Sequence, residues 1–71
     1  MPLTVVQAGR RVRLIAVKAG HELENRLSSM GLVSGVEIEV LRNSAKGPLL
    51  IKIKGSRVML GRGMAQKIVV S

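Results

Sequence analysis

The sequence predicts a mainly β fold: a small, closed or partly closed barrel of five short strands, with one α-helix inserted after the first. Three observations carry this prediction. Apolar and polar residues alternate with a period of two in residues 11–17, 36–40 and 49–54, and apolar-rich runs at 57–60 and 67–70 bring the strands to five. Only residues 21–30 carry helical spacing. The chain has just 71 residues, one domain over 1–71, and a sheet of this size hides its aggregation-prone edges best by closing on itself.

Taken in order, Leu3-Thr4-Val5-Val6-Gln7 places Thr4 three residues ahead of Gln7. That capping-box spacing predicts one helical or 3₁₀ turn over residues 4–8, ended by Gly9. Val12, Leu14 and Ala16 then alternate with Arg11, Arg13, Ile15 and Val17, a first strand with the former set inward and Ile15 and Val17 outward. Lys18-Ala19-Gly20 turns the chain into the helix.

The helix organises the rest. Leu23, Leu27 and Met30 recur at i, i+4 and i+7 and form one apolar stripe. Glu22 and Glu24 lie in the first turn, where the positive end of the helix dipole favours carboxylates. Gly31 reads as the left-handed residue that stops the helix, with Leu27 and Leu32 as the apolar pair that touches in a Schellman motif. Met30 and Met59 read as core filler.

Val33-Ser34-Gly35 is a tight connection into Val36-Glu37-Ile38-Glu39-Val40. Arg42 to Pro48 is a polar loop, and Leu49 to Lys54 is the next strand, with Leu49, Ile51 and Ile53 inward. Pairing Glu39 with Lys52 and Glu37 with Lys54 also sets Val40 against Ile51 and Ile38 against Ile53, so one register satisfies both faces. Gly55-Ser56 turns into Arg57–Leu60, Gly61-Arg62-Gly63 interrupts the chain, Met64–Gln66 forms one helical turn, and Lys67–Val70 is the last strand.

Composition narrows function by exclusion. There is no Cys, hence no disulfide framework. The start lacks a basic region followed by an apolar run, and no apolar stretch approaches the about 18 residues that span a bilayer. A cytoplasmic location is expected, with any membrane connection made through a partner. Lys+Arg number 12 against 4 Asp+Glu, a formal +8, which suits nucleic acid, anionic lipid or an acidic protein surface. Aromatic content is zero, so base stacking has no platform.

Catalysis needs a nucleophile with a base, or a paired acid and base. The only histidine is His21, Asp is absent, and Glu37 and Glu39 face lysines as a surface ladder, so the chain is not expected to be an enzyme. His21, Glu22 and Glu24 are the weak metal candidates, yet the i+4 neighbour of His21 is Asn25 and a helical ligand pair fails. No cofactor is expected, the spacing gives a transition metal no support, and a metal bridging two chains is the less weak of the metal readings. Gly61-Arg62-Gly63 lacks the spacing of a phosphate-binding loop. What remains is a contact surface: Ile15, Val17, Leu41 and Leu50 as an apolar centre, Arg26 beside it as the leading contact residue, and Arg62 among the outlying cations. The same apolar residues suit a homo-oligomer.

Leu3, Gly9, Gly20, the run Arg26-Leu27-Ser28-Ser29-Met30-Gly31-Leu32, Gly35, Gly47-Pro48, Gly55, Ala65 and Ile68-Val69-Val70 together resemble the FeoA family, ferrous iron transport protein A. The resemblance spans essentially the whole chain and is most specific in the middle motif. Ser34 departs from the proline the family often has before Gly35, and Gly61-Arg62-Gly63-Met64 departs from a more helical, charged segment. The resemblance implies an SH3-like five-stranded β-barrel and a non-catalytic cytosolic accessory. Its implied partner is a membrane ferrous-iron permease with its own cytosolic GTPase domain (FeoB-like). The same barrel occurs as the C-terminal domain of iron-dependent repressors, so fold alone does not fix function. The competing expectation from charge is a nucleic-acid-binding small basic β-barrel.

Overall fold

A computed structural model describes residues 1–71. In chain order the elements are a 3₁₀ turn at Leu3–Val5, strand β1 at Arg11–Val17, helix α1 at His21–Ser29, β2 at Glu37–Asn43, β3 at Leu49–Ile53, β4 at Ser56–Leu60, the one-turn helix α2 at Arg62–Ala65, and β5 at Ile68–Val70. The strands form one antiparallel sheet in the order β4-β3-β2-β1-β5. β4 and β5 are its two ends and do not pair with each other, so the barrel is only partly closed, and Pro2 adds a bridge to Val69 at the β5 end. Inside lie 15 buried residues, all apolar, in a single cluster.

Helix α1 ends as its sequence dictates. Gly31 has φ +94°, its N–H donates to the Ser28 carbonyl at 2.9 Å, and the Leu32 N–H donates to the Leu27 carbonyl at 2.9 Å. These are the two hydrogen bonds of a Schellman motif. Leu27 and Leu32 are both buried, and half-buried Leu23 packs against the core. Met30 departs from the expected stripe: it is the C-cap, not a helical residue, and it is exposed. Leu32 takes the inward place because the left-handed residue before it re-aims the chain. Met59 is likewise no core filler. It faces outward from β4, opposite Leu50, and is 65% exposed.

Two β-bulges alter the simple alternation. In β1 the partners step from Leu14↔Val70 to Ala16↔Val69, leaving Ile15 as the extra residue. The phase therefore flips: Ala16, expected inward, is exposed, and Val17, expected outward, is half-buried against the core. In β2 the second bulge falls at Leu41, between Val40↔Ile51 and Arg42↔Leu50. It carries the strand on to Asn43, past the expected loop start at Arg42.

The expected β2–β3 register holds at Glu39↔Lys52 and Val40↔Ile51. The ion pair, however, forms on the other side. Glu39 Oε1 lies 3.9 Å from Arg11 Nε of β1, whose register also sets Arg13 against Glu37, and neither Lys52 nor Lys54 comes within ion-pair distance of a carboxylate. The β3–β4 turn is Lys54-Gly55, not Gly55-Ser56, because Ser56 already pairs with Ile53. Both turn residues have positive φ, +50° and +81°, as a type I′ hairpin requires. The Thr4–Gln7 capping box is not formed: Pro2 is the N-cap and no side chain caps the turn.

Candidate interaction surface

The β1 bulge and the end of α1 together build a groove. Its walls are Leu14 to Val17 of β1, Glu24 and Ser28 of α1, and Leu32-Val33-Ser34 of the connection, enclosing about 300 Å³. The bulge leaves Ile15 half exposed, and Val33 is also exposed. The connection is stitched to β1 by three hydrogen bonds. The Ser34 hydroxyl donates to the Ile15 carbonyl at 3.2 Å, the Gly35 N–H to the Leu14 carbonyl at 2.8 Å, and the Leu14 N–H to the Val36 carbonyl at 3.0 Å. The groove walls are thus fixed by backbone geometry, while Ile15 and Val33 present apolar surface to water. Glu24 is the only charged residue lining it.

The expected contact residues separate into four places. Ile15 and Val17 line the groove. Arg26 does not stand beside them. Glu24 and Ser28, spaced i and i+4, turn toward the groove, and a residue two positions after Glu24 is rotated about 200° away on a 3.6-residue helix. Arg26 instead sits in the last turn of α1, where a cation meets the negative end of the helix dipole. Leu41 and Leu50 are half-buried in β2 and β3, outside the groove.

Arg62 is not free for a partner. Its Nε donates to the Gly47 carbonyl at 3.2 Å, and its Nη2 donates to Asn43 Oδ1 at 2.5 Å and to the Ser44 carbonyl. Asn43 in turn donates through Nδ2 to the carbonyls of Thr4 and Val6 at 3.0 and 2.7 Å. The Arg62–Asn43 pair therefore ties α2, the β2–β3 loop and the N-terminal turn together.

His21, Glu22 and Glu24 are all exposed at the start of α1, and no three His, Cys, Asp or Glu side chains are gathered as a ligand set. Sequence reasoning missed Val33, Glu24 and Ser28 as groove residues. A signal for Val33 existed: it lies between the helix-stopping Gly31 and Gly35, two positive-φ positions that hold it out of both helix and sheet.

A second hollow, of about 490 Å³, lies over the polar face of the sheet and is lined by Arg11, Glu37, Glu39, Lys52 and Lys54, with Val36 and Gly55. The two hollows share no residue. No helix is long and apolar enough to cross a membrane.

A partly closed five-stranded antiparallel sheet with one helix packed into it is an SH3-like barrel. The family model of the FeoA domain matches residues 1–71, and the chain belongs to the FeoA family. A protein of Methanocaldococcus jannaschii, named as a candidate Fe(2+) transport protein A, is 41% identical over 69 residues, 97% of this chain and 83% of that protein. The crystal structure of an iron uptake regulatory protein, FeoA, superposes with a TM-score of 0.93 at 33% identity, covering 99% of this chain and 93% of that one. A zinc-complexed FeoA of Stenotrophomonas maltophilia, described as a procaryotic SH3 domain protein, shares the fold with a TM-score of 0.87 at 24% identity, over 100% of this chain and 89% of that one.

Proposed function

We propose that this chain is a non-catalytic cytosolic accessory of ferrous iron transport. In this reading it docks on, and modulates, a membrane ferrous-iron permease that carries a cytosolic GTPase domain. Membership of the FeoA family supports the transport role. The observation that supports docking is the groove between β1 and α1, where Ile15 and Val33 expose apolar surface on a rigid frame. A fixed apolar pocket with a polar rim is the usual centre of a specific protein contact. Nucleotide and metal chemistry then belong to the permease.

Calorimetric titration of the chain into the permease's cytosolic domain tests this. Ile15→Asp is expected to weaken binding by about tenfold or more, the loss of a central apolar contact, while the Tm stays within a few degrees because Ile15 is solvent-facing. Retention of RNA in a gel shift together with no permease contact would reverse the reading in favour of a nucleic-acid-binding barrel. Salt separates the two as well: phosphate contacts weaken steeply and linearly on a log–log plot, whereas an apolar-centred contact fades modestly.

A further inference from the structure

The strand register assembles a second surface that the groove does not use. Arg11, Glu39, Lys52 and Arg57 are successive cross-strand neighbours on β1, β2, β3 and β4. In the adjacent row Arg42, Leu50 and Met59 are cross-strand neighbours on β2, β3 and β4. Val40, Ile51 and Leu60 are buried, and Val58 packs against the core. Alternation therefore turns both rows outward.

Three features of this face have no explanation in the fold. Lys52 sits directly opposite Arg57, and like charges in that position weaken a sheet. The only carboxylate in the two rows, Glu39, is already taken by Arg11. Met59 lies in the row next to the Lys52–Arg57 pair, on a strand that ends the sheet, and is the most exposed large apolar side chain of the protein. A local rule broken without structural gain points to function.

We propose that this face binds an anionic lipid surface directly, with Arg42, Lys52 and Arg57 on the headgroups and Met59 entering the acyl boundary. Clustered cations are drawn to the negative potential of such a surface, and an unbranched apolar side chain among them adds interfacial burial. Nucleic acid fits less well. It offers no apolar layer for Met59, the chain has no aromatic ring to stack on bases, and its one long helix carries two glutamates in the first turn. The lipid face and the groove have no residue in common, so the two contacts are made by separate side chains. The inference does not rest on the permease reading, because lipid alone is the ligand.

Co-sedimentation of the full chain with vesicles of phosphatidylcholine, with or without phosphatidylglycerol, is the test. Binding is expected only with phosphatidylglycerol and should fall as salt rises. Arg57→Glu is expected to cut it about tenfold or more. This variant also places opposite charges across the strands, so its fold should be kept, as circular dichroism will check. Met59→Ser is expected to lower binding several-fold and to remove the part that survives high salt. Ile15→Asp should leave vesicle binding unchanged. Equal binding to neutral vesicles would overturn the proposal, as would no binding to anionic ones or insensitivity to both Arg57→Glu and Met59→Ser. Release from vesicles by RNA, with RNA binding unaffected by Met59→Ser, would assign the face to nucleic acid instead.

Discussion

Gly31 stops the central helix at φ +94°, a conformation in which a Cβ is strained whatever space surrounds it. A side chain there would meet Ile53 Cδ1 at 3.5 Å, an ordinary contact, so the cost of substitution is conformational. Gly31→Ala is accordingly expected to lose about 1–2 kcal/mol, measurable by urea unfolding, and Gly31→Val a similar amount or slightly more. Fully buried Leu27, whose carbonyl accepts the Leu32 N–H, is the complementary case. Leu27→Ala is expected to cost about 2–5 kcal/mol through lost burial and a cavity, enough to threaten a chain of 71 residues. Asn43 joins three segments through its amide. Asn43→Ala should destabilise by about 1–3 kcal/mol, since it strands several partly buried polar groups, and equilibrium unfolding will show it. Gly31, Leu27 and Leu32 were legible in the sequence because their spacing alone defines a helix stop. Asn43 and Arg62 were not, because nothing local to either residue marks a partner 19 positions away.

At the scale of the element, alternation located three strands and apolar-rich runs the other two, and matching the two faces of β2 and β3 found their register at Glu39↔Lys52 and Val40↔Ile51. The bulges escaped it. An extra residue such as Ile15 is invisible to a period of two, since the same residues read equally well in either phase until a partner strand fixes one. The consequence reaches the site: the bulge leaves Ile15 out of step with β5 and re-aims Val17 onto the core. The ladder of charges forms only one ion pair. Arg11 and Glu39 approach only to 3.9 Å, with Arg11 67% exposed, so Glu39→Gln is expected to change stability by a few tenths of a kcal/mol, up to about 1. A larger loss on chemical denaturation would mean that the outer face, not the apolar one, sets the register. The β3–β4 hairpin makes the sharper demand, with Lys54 and Gly55 both at positive φ. Gly55→Ala should therefore destabilise by about 1–2 kcal/mol, against near-neutrality for Lys54→Gly.

For the whole molecule, the interior is purely structural, as the sequence suggests. All 15 core residues are apolar, and no ionisable group is buried. The fold was legible because a chain this short has few ways to bury one leucine-striped helix against five strands, and the family because the run Arg26–Leu32 and its flanking glycines resemble it. The site was legible only in part: Ile15 and Val17 lie in the groove, Arg26 lies on the far side of the helix, and Arg62 is spent on holding the loop to α2. Three-dimensional placement, which spacing along the chain does not encode, made that division. The most direct measurement is a ¹⁵N-resolved NMR titration of the chain with the cytosolic domain of a ferrous-iron permease. Docking in the groove predicts that the amides of Ile15, Val17, Ser28 and Val33 shift or broaden first, with those of Lys52, Arg57 and Met59 unmoved. Perturbation confined to Lys52, Arg57 and Met59, or none at saturating partner, would contradict it.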